Sequence, residues 1–135
     1  MEIKHDAFLD GSKALKLVMQ AHYELSLCSA EGHVLIRDNY SVIYAEDNGI
    51  PVGCIVFYRY LNCCFMTLTY VAETHRMQGI FKSMFAYLND LCKGIGIIKI
   101  EWGCHVSNKN AEAVYRTMGF NPIGYHYSVK VSGKG

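Results

Sequence analysis

Apolar and polar positions fall into two rhythms along this chain. Tyr40 to Glu46 alternates well enough for a strand, and Val52 to Leu61 reads as its returning partner. Asp47-Asn48-Gly49 between them is a hairpin turn signal. After a turn at Asn62, Cys63 to Val71 is rich in β-branched and aromatic residues, namely Phe65, Thr67, Thr69, Tyr70 and Val71. Three such segments with short links predict an antiparallel meander. The period then changes. Ile80, Met84, Leu88 and Cys92 recur at four-residue steps, with Phe81, Phe85 and Leu88 as a second row beside them, which predicts a helix with one broad apolar face. Gly94-Ile95-Gly96 ends it.

The flanks are read the same way. Met1 to Phe8 reads as a short first strand, and Asp10 or Ser12 caps a helix to about Leu27 whose apolar face is Leu15, Leu17, Val18 and Ala21. Ser29 to Asn39 is ambiguous. Ile97 to Cys104 predicts another strand. Asn108 to Met118 predicts a helix in which Ala111, Val114 (or Tyr115) and Met118 share a face, Asn108 is the N-cap and Gly119 the C′ glycine. Tyr125 to Val131 is the last strand. Strands and helices in this order predict an α/β (α+β) fold with a mixed sheet.

Composition narrows the picture. A length of 135 residues predicts one compact domain, 1–135, large enough for a core of its own. The chain is 51% hydrophobic and 19% charged, which fits a packed globular protein. A net charge of +1 gives no electrostatic case for nucleic acid or an anionic membrane. No run approaches a membrane span and the N-terminus lacks a signal-peptide core, so a cytoplasmic protein is expected. The six cysteines form no Cys-x-x-Cys pair and mostly sit in apolar runs, so buried free thiols are expected. Cys63, Cys64, His75, Cys104 and His105 lack the paired spacing of a zinc site, and no metal is expected.

One stretch carries chemistry: Val71-Ala72-Glu73-Thr74-His75-Arg76-Met77-Gln78-Gly79-Ile80-Phe81. A strand ends, a short polar loop carries a glycine, and a helix begins. A helix start leaves backbone N–H groups unpaired and carries partial positive charge, so it suits a pyrophosphate. Gly79 lets an anion approach the main chain, and Arg76 adds a full charge beside it. Taken alone, the same residues also fit a plain solvated connection.

A second constellation changes the weighting. Asn108, Ala111, Tyr115, Gly119 and Phe120 match the pattern Asn-x-x-Ala-x-x-x-Tyr-x-x-x-Gly-Phe, while Val71, Arg76 and Gly79 match Val-x-x-x-x-Arg-x-x-Gly. In these two motifs, their order and their separation, the chain resembles the GCN5-related N-acetyltransferase (GNAT) superfamily from about Tyr40 to Val131. The resemblance implies a mostly antiparallel mixed sheet, splayed between its central strands and flanked by helices. It implies acetyl-CoA as co-substrate, with the pyrophosphate on the N–H groups of Met77, Gln78, Gly79, Ile80 and Phe81 and Arg76 beside it. It also implies main-chain pairing of Thr69, Tyr70 and Val71 with the pantetheine arm, as an added strand would pair.

Direct attack of an amine on the thioester needs no covalent nucleophile on the protein, so the resemblance assigns positioning and proton transfer to the site. Tyr115 is the matched phenol that would protonate the departing thiolate. Asn108 either binds the cofactor arm or caps its helix. The strand glutamate of some relatives falls at Gly103 here, so the base is left to Glu101, to His105 (an imidazole's ordinary pKa of about 6.5 suits the task) or to a water relay. Phe81 replaces the loop's last small residue, where its ring either crowds a pyrophosphate or turns into the core, and the apolar row favours the core. The acceptor is left as a primary amine of a small molecule or protein, and a homodimer paired through the last strands stays open. A catalytically degenerate, GNAT-like acyl-CoA sensor or interaction module is the alternative.

Overall fold

In the computed structural model the described residues are 1–28, 37, 39–103, 116–117, 119, 121–123 and 126–131. Their elements are β1 (Glu2–Asp6), α1 (Leu15–Cys28), β2 (Ser41–Asp47), β3 (Ile50–Tyr60), β4 (Cys63–Val71), a 3-10 turn (Glu73–His75), α2 (Ile80–Gly94), β5 (Lys99–Gly103), β6 (Asn121–Ile123) and β7 (His126–Lys130). The strands pair in the order β1-β2-β3-β4-β5-β7-β6. The β4–β5 pair is parallel, whereas β1–β2, β2–β3, β5–β7 and β6–β7 are antiparallel. This is the mixed, mostly antiparallel α/β sheet expected. The chain forms two compact units, 1–58 with 67–88 and 59–66 with 89–135.

In the first unit both faces of the meander are covered, so residues 42–46 of β2 and 52–57 of β3 are buried without a break, where the sequence pattern predicts alternation in β2. Val42, Tyr44, Cys54, Val56, Leu68 and Tyr70 pack with Ala14, Leu17, Val18 and Ala21 at α1. The opposite face carries Ile43 and Ile55, fully buried, and Gly53, against which Ile80 and Met84 of α2 rest. A β-carbon on Gly53 would stand 3.1 Å from Ile80 Cγ2 and 3.1 Å from Met84 Cε, so the missing side chain sets how closely α2 seats. Ile80, Met84 and Leu88 are buried and each contributes roughly 1.5–3 kcal/mol. Phe81 and Phe85 are half-buried beside them.

Local chemistry fixes the ends of these elements. Ser12 Oγ accepts the Ala14 N–H at 3.1 Å and donates to Asp6 Oδ2 at 2.7 Å, so the cap of α1 is tied to β1. Asn48 and Gly49 take φ of 52° and 79°, the two left-handed positions of a tight hairpin. Beside that hairpin lies Glu46, only 6% exposed, with Lys4 Nζ 3.1 Å from Oε1 and Lys13 Nζ 3.1 Å from Oε2.

In the second unit the parallel ladder runs Cys63–Lys99, Cys64–Ile100, Phe65–Glu101 and Met66–Trp102. Ile98 N–H donates to Asn62 O at 2.9 Å, and Val131 N–H donates to Ile98 O at 2.8 Å, so strand-like bonding starts before β5 proper. Cys63, Cys64 and Cys92 here, like Cys54 in the first unit, are free and buried thiols. Burial pushes the Cys63 thiol up to about 11, and hydrogen bonding with Cys92 followed by burial raises that of Cys64.

Sequence and structure part at the C-terminal side. Asn121–Ile123 forms a strand that the sequence pattern does not signal, because it is three residues long and carries Pro122. It pairs with β7 alone, which is where a proline is tolerated. Arg116 and Thr117 are helical, and Gly119 takes φ 86°, as expected of a C′ glycine. The rest of the helix expected over Asn108 to Met118, with Tyr115, lies outside the described residues, as do Cys104, His105 and nearly all of Ser29 to Asn39.

Candidate active site

The link between β4 and α2 is built around one inward-pointing residue. Ala72 N–H donates to Val52 O at 2.7 Å, extending strand pairing one step past β4. His75 closes the 3-10 turn with its N–H on Ala72 O at 2.8 Å. Arg76 is extended, and Met77 then takes φ 65° with its side chain fully exposed. A left-handed residue other than glycine costs about 1–2 kcal/mol, so something must hold Met77 there. Two side-chain bonds do so. Arg76 Nε donates to Val71 O at 2.9 Å, and His75 Nε2 lies 2.9 Å from Asp47 Oδ2.

Gly79 opens the helix. Its carbonyl accepts the Ser83 N–H at 3.1 Å, the first bond of α2, while its φ is 75°. A left-handed residue followed by a helical one turns successive N–H groups to one side, forming a concavity suited to an anion. A β-carbon built on Gly79 would meet nothing within 4 Å, so Gly79 itself is not crowded on that side. The exposed Arg76, Gln78 and Gly79 line this corner, and Ile80 points away into the core. Phe81 leaves the corner clear: its ring packs edge-on against Phe85 one turn along α2, with centroids 6.2 Å apart. The ring is half-buried on the helix flank, not deep in the core where the apolar row puts it. The residues present therefore fit a diphosphate.

A polar chain runs from this corner to α1. Arg76 Cζ stands 5.7 Å from the centroid of the Tyr70 ring. The Tyr70 hydroxyl, then the Gln20 amide, hold the Glu24 carboxyl below the usual carboxylate range. Burial, then the bond to Glu24, raises Tyr70 in turn. Gln20 Nε2 donates to Glu24 Oε1 at 3.4 Å, one helical turn apart. Glu24 escapes sequence reading because an exposed-type residue on an amphipathic helix gives no sign of its distant partner.

Among the described residues the β4–β5 ladder ends at the Met66–Trp102 pair, so the backbone of Thr69, Tyr70 and Val71 lies beyond it. Tyr70 is buried, whereas Thr69 and Val71 are half-buried, and the Val71 carbonyl already holds the Arg76 bond. Glu101 lies opposite Phe65 inside the closed ladder, with Oε1 3.1 Å from Lys99 Nζ. Tyr58 of β3 stacks on Tyr40 with ring centroids 4.7 Å apart. Asn108, Tyr115 and His105 fall outside the described residues; among the described ones, the loop residues come together at the start of α2.

A mixed sheet whose β4–β5 pair is parallel, with β4 leading through a glycine turn into the start of α2, has the architecture of the N-acetyltransferases. The chain belongs to the acetyltransferase (GNAT) family, whose model matches residues 8–120 of the 135. Solved structures agree on the fold. The GCN5 structure from Tetrahymena superposes with a TM-score of 0.78 at 11% identity, covering 100% of this chain and 99% of that one. The ribosomal-protein-alanine N-acetyltransferase of Brucella melitensis gives 0.73 at 16% identity over 96% and 99%. The PaiA N-acetyltransferase of Thermoplasma acidophilum, solved with coenzyme A, gives 0.69 at 16% identity over 96% and 98%. No protein of curated function matches the sequence. Among the described residues no helix is long and apolar enough to cross a membrane.

Proposed function

We propose that this protein is an acetyl-CoA-dependent N-acetyltransferase that passes the acetyl group directly to a primary amine. The observation that carries the reading is the left-handed Gly79 leading into the first turn of α2, on a loop held by the bonds of His75 and Arg76. The main-chain N–H groups of Gly79, Ile80 and Phe81 hold the diphosphate, and Arg76 supplies the neighbouring charge. Met77 and Gln78 shape the turn, and Thr69, Tyr70 and Val71 offer main-chain groups to the pantetheine arm. When bound, acetyl-CoA supplies an activated acyl group, and the chain has only to orient it and move protons.

We assign Tyr115 the protonation of the departing thiolate, and Asn108 a contact to the cofactor arm. The base is His105 or a water relay in preference to Glu101, whose carboxylate is engaged by Lys99. That engagement also favours a second reading, a GNAT-like domain that binds an acyl-CoA as a sensor or interaction module without turnover. The acceptor is a small-molecule or protein amine, and the compartment is the cytoplasm.

One assay separates the readings. Thiol release from acetyl-CoA is followed with a panel of amines, peptides and polyamines. Turnover with any acceptor, reduced in Tyr115→Phe more than cofactor affinity is, supports the transferase. Coenzyme A binding without thiol release for any acceptor supports the sensor.

A further inference from the structure

We infer that His75 and Asp47 form a positioning pair for the phosphate-binding loop, a role resting on the proposed binding of coenzyme A there. Between Ala72 and Ile80, His75 is the one residue that is not exposed; Glu73, Thr74, Arg76, Met77, Gln78 and Gly79 all are. Its side chain is 21% exposed and reaches back to the β2–β3 hairpin, where Nε2 meets Asp47 Oδ2 at 2.9 Å. A carboxylate only accepts, so Nε2 carries the proton, and Nδ1 is left to the Thr74 hydroxyl at 2.8 Å. Both ring nitrogens are thus committed to the protein, and neither is offered to a ligand.

The pair spans 28 positions of sequence and joins two turns that each carry left-handed residues, Asn48 and Gly49 on one side and Met77 and Gly79 on the other. A tight hairpin with few soft torsions makes a rigid post. Fastening the loop to that post one residue before Arg76 fixes where the Arg76 backbone leaves the 3-10 turn. It thereby fixes the direction of Met77 and Gln78, the turn that leads into the amides of Gly79, Ile80 and Phe81. Arg76 itself closes onto Val71 and over the Tyr70 ring, both at the end of β4, so those contacts cannot orient the loop against the sheet's hairpin. The Asp47 link can.

The test uses the full chain and the variants His75→Ala, Asp47→Ala, their double, and His75→Gln, whose amide still donates to Asp47. Two readouts are taken: amide hydrogen exchange over 72–81 without ligand, and equilibrium binding of coenzyme A by calorimetry. Loss of a charge-assisted bond predicts about tenfold faster exchange in that segment and about tenfold weaker coenzyme A binding in each single variant. The double variant is then no worse than either single, His75→Gln recovers part of the loss, and the melting temperature moves little. Exchange and affinity within twofold of the parent, additive losses in the double, or no recovery in His75→Gln overturn the pair. If the parent binds no coenzyme A while the exchange pattern still appears, the proposed function fails and the anchoring stands.

Discussion

Arg76 donates through Nε to the carbonyl of Val71 at 2.9 Å, so the cation nearest the anion seat also folds the loop back onto the strand it leaves. The guanidinium fork makes both tasks compatible, because Nε holds the backbone while the two terminal nitrogens carry further donors. A lysine has one ammonium and no fork.

Arg76 therefore separates charge from geometry. Arg76→Ala should weaken coenzyme A binding about 10- to 100-fold, the worth of a charge-assisted contact of about 1.5–3 kcal/mol. Arg76→Lys keeps the charge but loses the Val71 bond, and its affinity should fall between the two. Calorimetric titration checks the order; Lys equal to the parent would mean that the backbone bond is idle.

Gly53 tests how α2 is seated. A methyl group there sits 3.1 Å from Ile80 Cγ2 and 3.1 Å from Met84 Cε, closer than ordinary contact. Gly53→Ala should destabilise the fold by about 1–3 kcal/mol, as overpacking does. Denaturant unfolding checks it. Because Ile80 is the first residue of α2, coenzyme A affinity should fall with stability.

Glu46 sets an acid limit. Lys13, then Lys4, hold its carboxyl below the usual range. A carboxylate depressed in the folded state adds stability above its unfolded pKa of about 4.3 and loses it as pH falls through the lower folded value. Glu46→Gln should accordingly be less stable than the parent at pH 7, with the gap closing as pH drops below about 4. A gap that is constant from pH 7 to pH 3 would contradict the ion-pair assignment.

Much of this fold was legible in the sequence because its signals are local. The four-residue steps from Ile80 to Cys92 predicted the buried row of α2, and Ser12 the cap of α1. Asn48 and Gly49 announced the hairpin by their tolerance of positive φ. The misses are one short edge strand and several side-chain partnerships. Pro122 hid an edge strand, and Phe81 met Phe85 on the flank of α2 instead of entering the core. Nothing near Asp47 announces His75, nor does Glu101 announce that Lys99 will take its carboxylate. The binding loop was readable as strand, glycine and helix start, whereas the bonds that stiffen it were not.

The central claim is that main-chain amides at the start of α2 grip a diphosphate. It is tested most directly by titrating coenzyme A into the parent and into Gly79→Glu, with folding checked by thermal melting. The account predicts saturable binding by the parent and no measurable binding by a folded Gly79→Glu, because the substitution sets a carboxylate beside the anion seat and a β-carbon on backbone at φ 75°. Equal affinity in the two proteins would contradict it.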